Sequence, residues 1–159
     1  AFMSLADTNI AFPEDMKGKR IGFYEKDAMI TQMALAELKS MGIDPAKYFS
    51  SVTYYSDAVG VLNAMQYKLI DVGVAASPLY NTWSNRGYNL VMVLQGRGMP
   101  HLTFAVRKDF PNKHVLVQAL LKAHQDPEAS EYFKFNGFTN FEPAQLSDYD
   151  ELAKFLDIK

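Results

Sequence analysis

Hydrophobic residues along this chain fall into short apolar runs that alternate with stripes at helical spacing. Ala1–Leu5 (AFMSL) is a brief apolar run and reads as a strand, and Ala6–Lys19 is a polar connection. Arg20–Tyr24 is a second strand. Ala28–Met41 repeats Ile30, Ala34, Leu38 and Met41 on one face, which predicts a helix capped by Asp27 and closed by Gly42. Asp44-Pro45 opens one further turn. Val52–Tyr55 is β-branched and aromatic, hence a strand. Ser56 or Asp57 then caps a helix to about Lys68, with Val61, Leu62 and Met65 inward. Ile70–Ala75 is a buried strand, Ser77-Pro78 caps and opens a helix ending near Gly87, and Asn89–Leu94 is another strand. His101–Arg107 is again strand-like.

Beyond that point the pattern turns helical. Asn112 is placed to cap Lys113–His124. Asp126-Pro127 opens Glu128–Phe135, which Asn136-Gly137 stops, and Ser147 caps a last helix through Leu156. Strands alternating with helices predict an α/β fold with a mainly parallel sheet of about five to six strands, covered on both faces as a three-layer sandwich. The division expected is an α/β lobe over residues 1–110 and a helical segment over 111–159.

Composition narrows the chemistry. The chain has 159 residues, 48% hydrophobic and 21% charged, which suffices for a real core. A net charge of −2 gives no basic field for nucleic acid. There are no cysteines, so disulfides and thiolate chemistry are excluded. No apolar run approaches the ~20 residues needed to span a bilayer, and Ala1–Ile10 lacks the basic start of a signal peptide. His114 and His124 are ten residues apart, about 15 Å along a helix, and form no metal pair. No spacing marks a nucleophile with its base, so no enzyme and no cofactor are expected.

The chemistry that remains lies at the corners between strands and helices. A helix N-terminus carries N–H groups with no partner in the helix, and the macrodipole is positive there. Three corners qualify: Tyr24–Thr31, Tyr54–Asp57 and Ala75–Tyr80. In open α/β sheets ligands bind at the carboxyl ends of the strands. The candidate ligand-binding residues are Tyr24, Asp27, Ala28, Met29, Ile30 and Thr31 at the first corner, Tyr55 and Ser56 at the second, and Ser77 and Tyr80 at the third. Trp83 falls inside a helix and is expected to be buried or at the lobe surface rather than to serve as a binding platform. Arg97, between two glycines, is expected to be solvated.

Several motifs, in order, resemble one family. DMKGKRIGF precedes a strand and MGIDPAKYF follows a helix. Ile70-Asp71-Val72-Gly73-Val74 is similar to a D-x-G-x strand, and Val106–Pro111 to a VRKDLP segment. LLKAHQD and Tyr149-Asp150 match closing helices. Together they resemble the substrate-binding proteins of ABC importers in the phosphate/phosphite/phosphonate group, with the type II periplasmic binding fold. The resemblance implies a small-molecule ligand held between two lobes, an ABC permease as partner, and a periplasmic or lipid-anchored extracellular location. It implies that AFMSL is an antiparallel crossing strand, that Gly96–Pro100 lies near a hinge, and that a first lobe precedes Ala1, while FLDIK reads as a natural C-terminus. A sensory module on the same fold is the alternative. The family's hydroxyl cluster at the first helix is replaced here by Ala28, Met29 and Ile30, and Glu25 and Asp27 flank the spot. These departures argue against a phosphonate-like dianion. An isolated lobe would expose Met29, Ile30 and Tyr80, so a homodimer through that face is expected.

Overall fold

Each apolar run that forms a strand sends alternate side chains to opposite faces, and both faces here find a helix to cover them. The computed structural model describes residues 1–100, 103–136 and 138–158. Five strands form one sheet: β1 (Phe2–Leu5), β2 (Arg20–Tyr24), β3 (Ser51–Tyr55), β4 (Val72–Val74) and β5 (Leu90–Leu94). Their spatial order is β3-β2-β4-β1-β5. β2 pairs in parallel with β3 and β4. β1 runs antiparallel to β4 and β5, as a crossing strand should.

Helices α1 (Met29–Ser40), α2 (Pro45–Tyr48), α3 (Ala58–Gln66) and α4 (Ser77–Asn85) accompany the sheet. On one face Phe2, Ile21, Phe23, Val72 and Val74 pack with Ala34 and Leu38 of α1. On the other, Met3 and Leu90 pack with Val61 and Met65 of α3 and with Trp83 of α4. Adjacent residues such as Phe2 and Met3 therefore serve different layers, and the three-layer arrangement follows from the period of two.

α3 approaches the sheet over a glycine patch. Gly22 and Gly73 are register partners on β2 and β4. A Cβ on Gly73 would lie 2.7 Å from Val61 Cγ1 and 2.8 Å from Met65 Sδ. One on Gly22 would lie 2.4 Å from Ile70 Cδ1. The D-x-G pattern of the sequence is thus read out in packing: its Gly makes room for α3.

Its Asp has a different task. Asp71 accepts from Arg20 Nη2 at 2.7 Å, from Arg20 Nε at 3.0 Å and from the Arg20 backbone N–H at 2.9 Å. The Arg20 side chain, foremost, holds the Asp71 carboxyl below its ordinary range. A lowered folded value means stability that is present above the unfolded value and lost as pH falls through the folded one. Asp71→Asn is expected to lower the urea midpoint near neutrality. The difference from the parent should close in strong acid, where both side chains are neutral; urea titrations at several pH values check this.

Some local expectations are corrected. α1 begins with Ala28 at the cap and no side-chain cap bond, so Asp27 does not cap it. Ala76, not Ser77, stands at the cap of α4, because Pro78 takes the second helical position. Residues 103–107 are not a strand. Among the described residues no strand pairs with them, and Phe104 instead meets Phe141 edge-on at 5.4 Å. His101 and Gly137 lie outside the described residues.

The chain forms two compact units, one of Ala1–Gly98 with Phe155–Ile158 and one of Met99–Lys154. The second carries α5 (Lys113–Lys122) and α6 (Pro127–Asn136), and most of α7 (Asp150–Phe155). Asn112 precedes α5 in a left-handed conformation without a side-chain cap bond, and Gln145 rather than Ser147 heads the turn before α7. Within this unit Phe133 is buried and packs edge-on against Phe141.

Candidate functional site

β3, β2 and β4 are neighbours and run the same way, so their carboxyl ends share one edge of the sheet. The three corners predicted from the sequence follow those three strands. They differ in how many donors they leave open.

The corner after β2 is the open one. The Ala28 N–H donates back to the Glu25 carbonyl at 2.9 Å, and the first helical bond runs from the Gln32 N–H to the Ala28 carbonyl at 3.0 Å. The amides of Met29, Ile30 and Thr31 between them head the helix, and Ala28 has no side chain to offer them. Met29 is 47% exposed above this turn, whereas Ile30 packs partly onto the core. Thr31 is buried, and its hydroxyl donates to the Tyr24 carbonyl at 3.1 Å, which ties strand end to helix start. Glu25, Lys26 and Asp27 are exposed around it.

The corner after β3 is partly closed. The Asp57 carboxylate accepts the Gly60 N–H at 2.7 Å and so uses one of the first amides of α3. This is the Asp57 cap expected from the sequence, and it leaves fewer free donors here than at the first corner. Ser56 is exposed. Tyr54 and Tyr55 take opposite faces: Tyr54 stacks on Phe23 at 5.9 Å, and Tyr55 packs with the α3 layer.

The corner after β4 is nearly closed. The Ala75 N–H donates to the Ala1 carbonyl at 3.0 Å, and the Leu79 N–H to the Ala76 carbonyl at 2.9 Å. Pro78 has no N–H, which leaves the Ser77 amide. The Ser77 hydroxyl makes no hydrogen bond among the described residues. The Tyr80 hydroxyl is engaged elsewhere: it donates to the Leu90 carbonyl at 3.3 Å, at the start of β5 and so at its far end. Of the expected apolar patch, Met29 is exposed, while Ile30 and Tyr80 are half-buried.

One side chain joins the three corners. The Tyr24 phenol is half-buried, and burial pushes its ionisation up. The backbone amide of Ala76, from the third corner, pulls the other way, and the charge of Asp57, from the second, adds a further upward push. Tyr24 was legible as a candidate, but its junction with Asp57 and Ala76 was not, since strand order decides it. What this edge offers chemically is backbone N–H groups for an acceptor, a phenol, and nearby carboxylates. Among the described residues no group of three His, Cys, Asp or Glu side chains could hold a metal ion, and no helix is long and apolar enough to cross a membrane. His114 and His124 lie in α5 and the turn after it, away from this edge in sequence and in a different unit.

A family model described as "ABC transporter, phosphonate, periplasmic substrate-binding protein" matches residues 2–149. No curated protein matches the chain significantly. Among solved structures, PhnD1 from Prochlorococcus marinus in complex with methylphosphonate is similar with a TM-score of 0.77 at 12% identity, over 99% of this chain and 66% of that one. A Xanthomonas citri protein bound to ATP gives 0.74 at 20% identity, over 98% of this chain and 63% of that one. The periplasmic aliphatic sulphonate binding protein SsuA from Escherichia coli gives 0.61 at 13%, over 99% and 62%. The chain therefore spans a little under two-thirds of the length of each of these structures. At these identities the likeness shows the fold.

Proposed function

The chain belongs to the periplasmic substrate-binding proteins of phosphonate-type ABC transporters, and on that premise we propose that it holds a small molecule at the α1 corner, leaves it chemically unchanged, and serves an importer. The observation that carries this is the uncapped first turn of α1. The amides of Met29 and Ile30 at its head open beside Tyr24 on the edge where three parallel strands end, while Thr31 is buried. Donors of this kind grip an acceptor group without performing a reaction.

The guest proposed is less charged than a phosphonate dianion. Ala28, Met29 and Ile30 bring no hydroxyls, and Glu25, Asp27 and Asp57 oppose negative charge by simple repulsion. The ligand-bound form would be favoured by contacts made only when this lobe closes on a partner lobe, which is a population shift. A permease partner and a periplasmic or lipid-anchored setting belong to the same proposal. The family match supports the importer role over a sensory one.

Titration calorimetry on the full-length gene product tests the ligand class, with methylphosphonate and an alkanesulfonate as probes. Methylphosphonate is expected to bind no tighter than millimolar; micromolar affinity would refute the reading of the α1 corner. Native mass spectrometry of the protein from its own host should show a neutral or singly charged guest. The mass of that guest should be unchanged after incubation.

A further inference from the structure

The other end of α1 carries a cluster that the binding reading does not use. The chain leaves its first unit after Gly98 and re-enters it at Phe155. Both points are fastened to the last turns of α1. The Glu37 carboxylate accepts the Arg97 backbone N–H at 3.2 Å, and a Cβ on Gly96 would lie 3.5 Å from the same oxygen. Lys39 pairs with Asp157. The Arg97 guanidinium lies 4.3 Å over the centre of the Phe155 ring, which joins the leaving segment to the returning one. Arg97 is therefore not simply solvated. Between Glu37 and Lys39, Leu38 is fully buried in the core and holds that turn of the helix in place.

We infer that Glu37, Lys39, Arg97, Phe155 and Asp157 form a clasp that fixes where the chain leaves and re-enters the lobe. Each contact alone is modest: an exposed ion pair contributes little, and an exposed cation–π contact only somewhat more. Their effect comes from sharing one rigid turn, so that loosening one segment removes a partner from the other. α1, about 18 Å long at 1.5 Å per residue, then carries the open amides at one end and the clasp at the other. The inference does not depend on what those amides bind.

Amide hydrogen exchange read by mass spectrometry on the whole chain tests it, with Arg97→Ala and Glu37→Ala beside the parent. Trp83, buried in the opposite layer, serves as a fluorescence reporter that the sheet remains folded. Each variant is expected to speed exchange about two- to fivefold at both 95–98 and 155–158. Arg97→Lys, which keeps charge but loses the planar stacking group, should give a smaller rise at the same two segments. Unchanged exchange, a rise at one segment alone, or a rise spread evenly over the sheet would each overturn the clasp.

Discussion

Gly73→Val is expected to lower the unfolding free energy by about 3 kcal/mol, at the upper end of overpacking costs. The site has no slack. A Cβ alone would come within 2.7 Å of Val61 Cγ1 and 2.8 Å of Met65 Sδ, and valine adds two methyl groups beyond it. Met65 is unbranched and can shift. Val61 cannot, because a β-branched side chain in a helix has one favoured rotamer. Its neighbour across the register, Gly22, is hemmed in as well, so α3 cannot slide toward β2 for relief. Gly98→Ala is the control: nothing lies within 4 Å of its Cβ position, and the expected change is within about 0.5 kcal/mol. Urea unfolding of the two variants separates crowding from the general effect of losing a glycine. A Gly73→Val protein as stable as the control would mean that α3 does not rest on this patch.

Ala28→Asn is expected to make the protein more stable and a worse receptor. The residue sits at the cap of α1 with extended backbone angles and no side-chain acceptor. Asn there would accept one of the leading amides and stabilise the helix by about 0.5–2 kcal/mol. For a chain of this size that raises the melting temperature by roughly 2–4 °C per kcal/mol. The same bond takes a donor away from the guest, so affinity for the co-purifying molecule should fall about tenfold, the worth of one hydrogen bond to a charged or strongly polar acceptor. Thermal melts and calorimetry on one variant read both quantities. Stability and affinity rising together would show that α1's first turn does not touch the ligand.

The opposite signs matter because an uncapped helix start is a local defect unless something else fills it. Asp57 shows the ordinary solution at the neighbouring corner, where a carboxylate satisfies the Gly60 amide. The protein has the means to cap a helix and does not do so at Ala28. That contrast could be read only partly from the sequence. Asp27 beside the apolar face looked like a cap, and Asp44 and Asp57, which resemble it locally, do cap their helices. The difference lies in one residue of phase, which local pattern does not fix.

Sequence alone determined the elements of the first unit and their alternation. Period two in the apolar runs and the 3.6-residue stripes are local properties, imposed by how side chains leave the backbone. Gly42 at positive φ and Pro45 at a helix start are local too. Tertiary structure decided the rest. A run such as 103–107 has strand composition but finds no partner strand among the described residues and so is not one. Tyr80 has the character of a site residue, yet its hydroxyl is spent on Leu90. The Tyr24 phenol feels the Asp57 charge and the Ala76 amide only because β3, β2 and β4 lie side by side. Hydrogen bonds and packing partners come from distant parts of the chain. Which residue faces which is set by the order of strands, and no window of sequence contains that order.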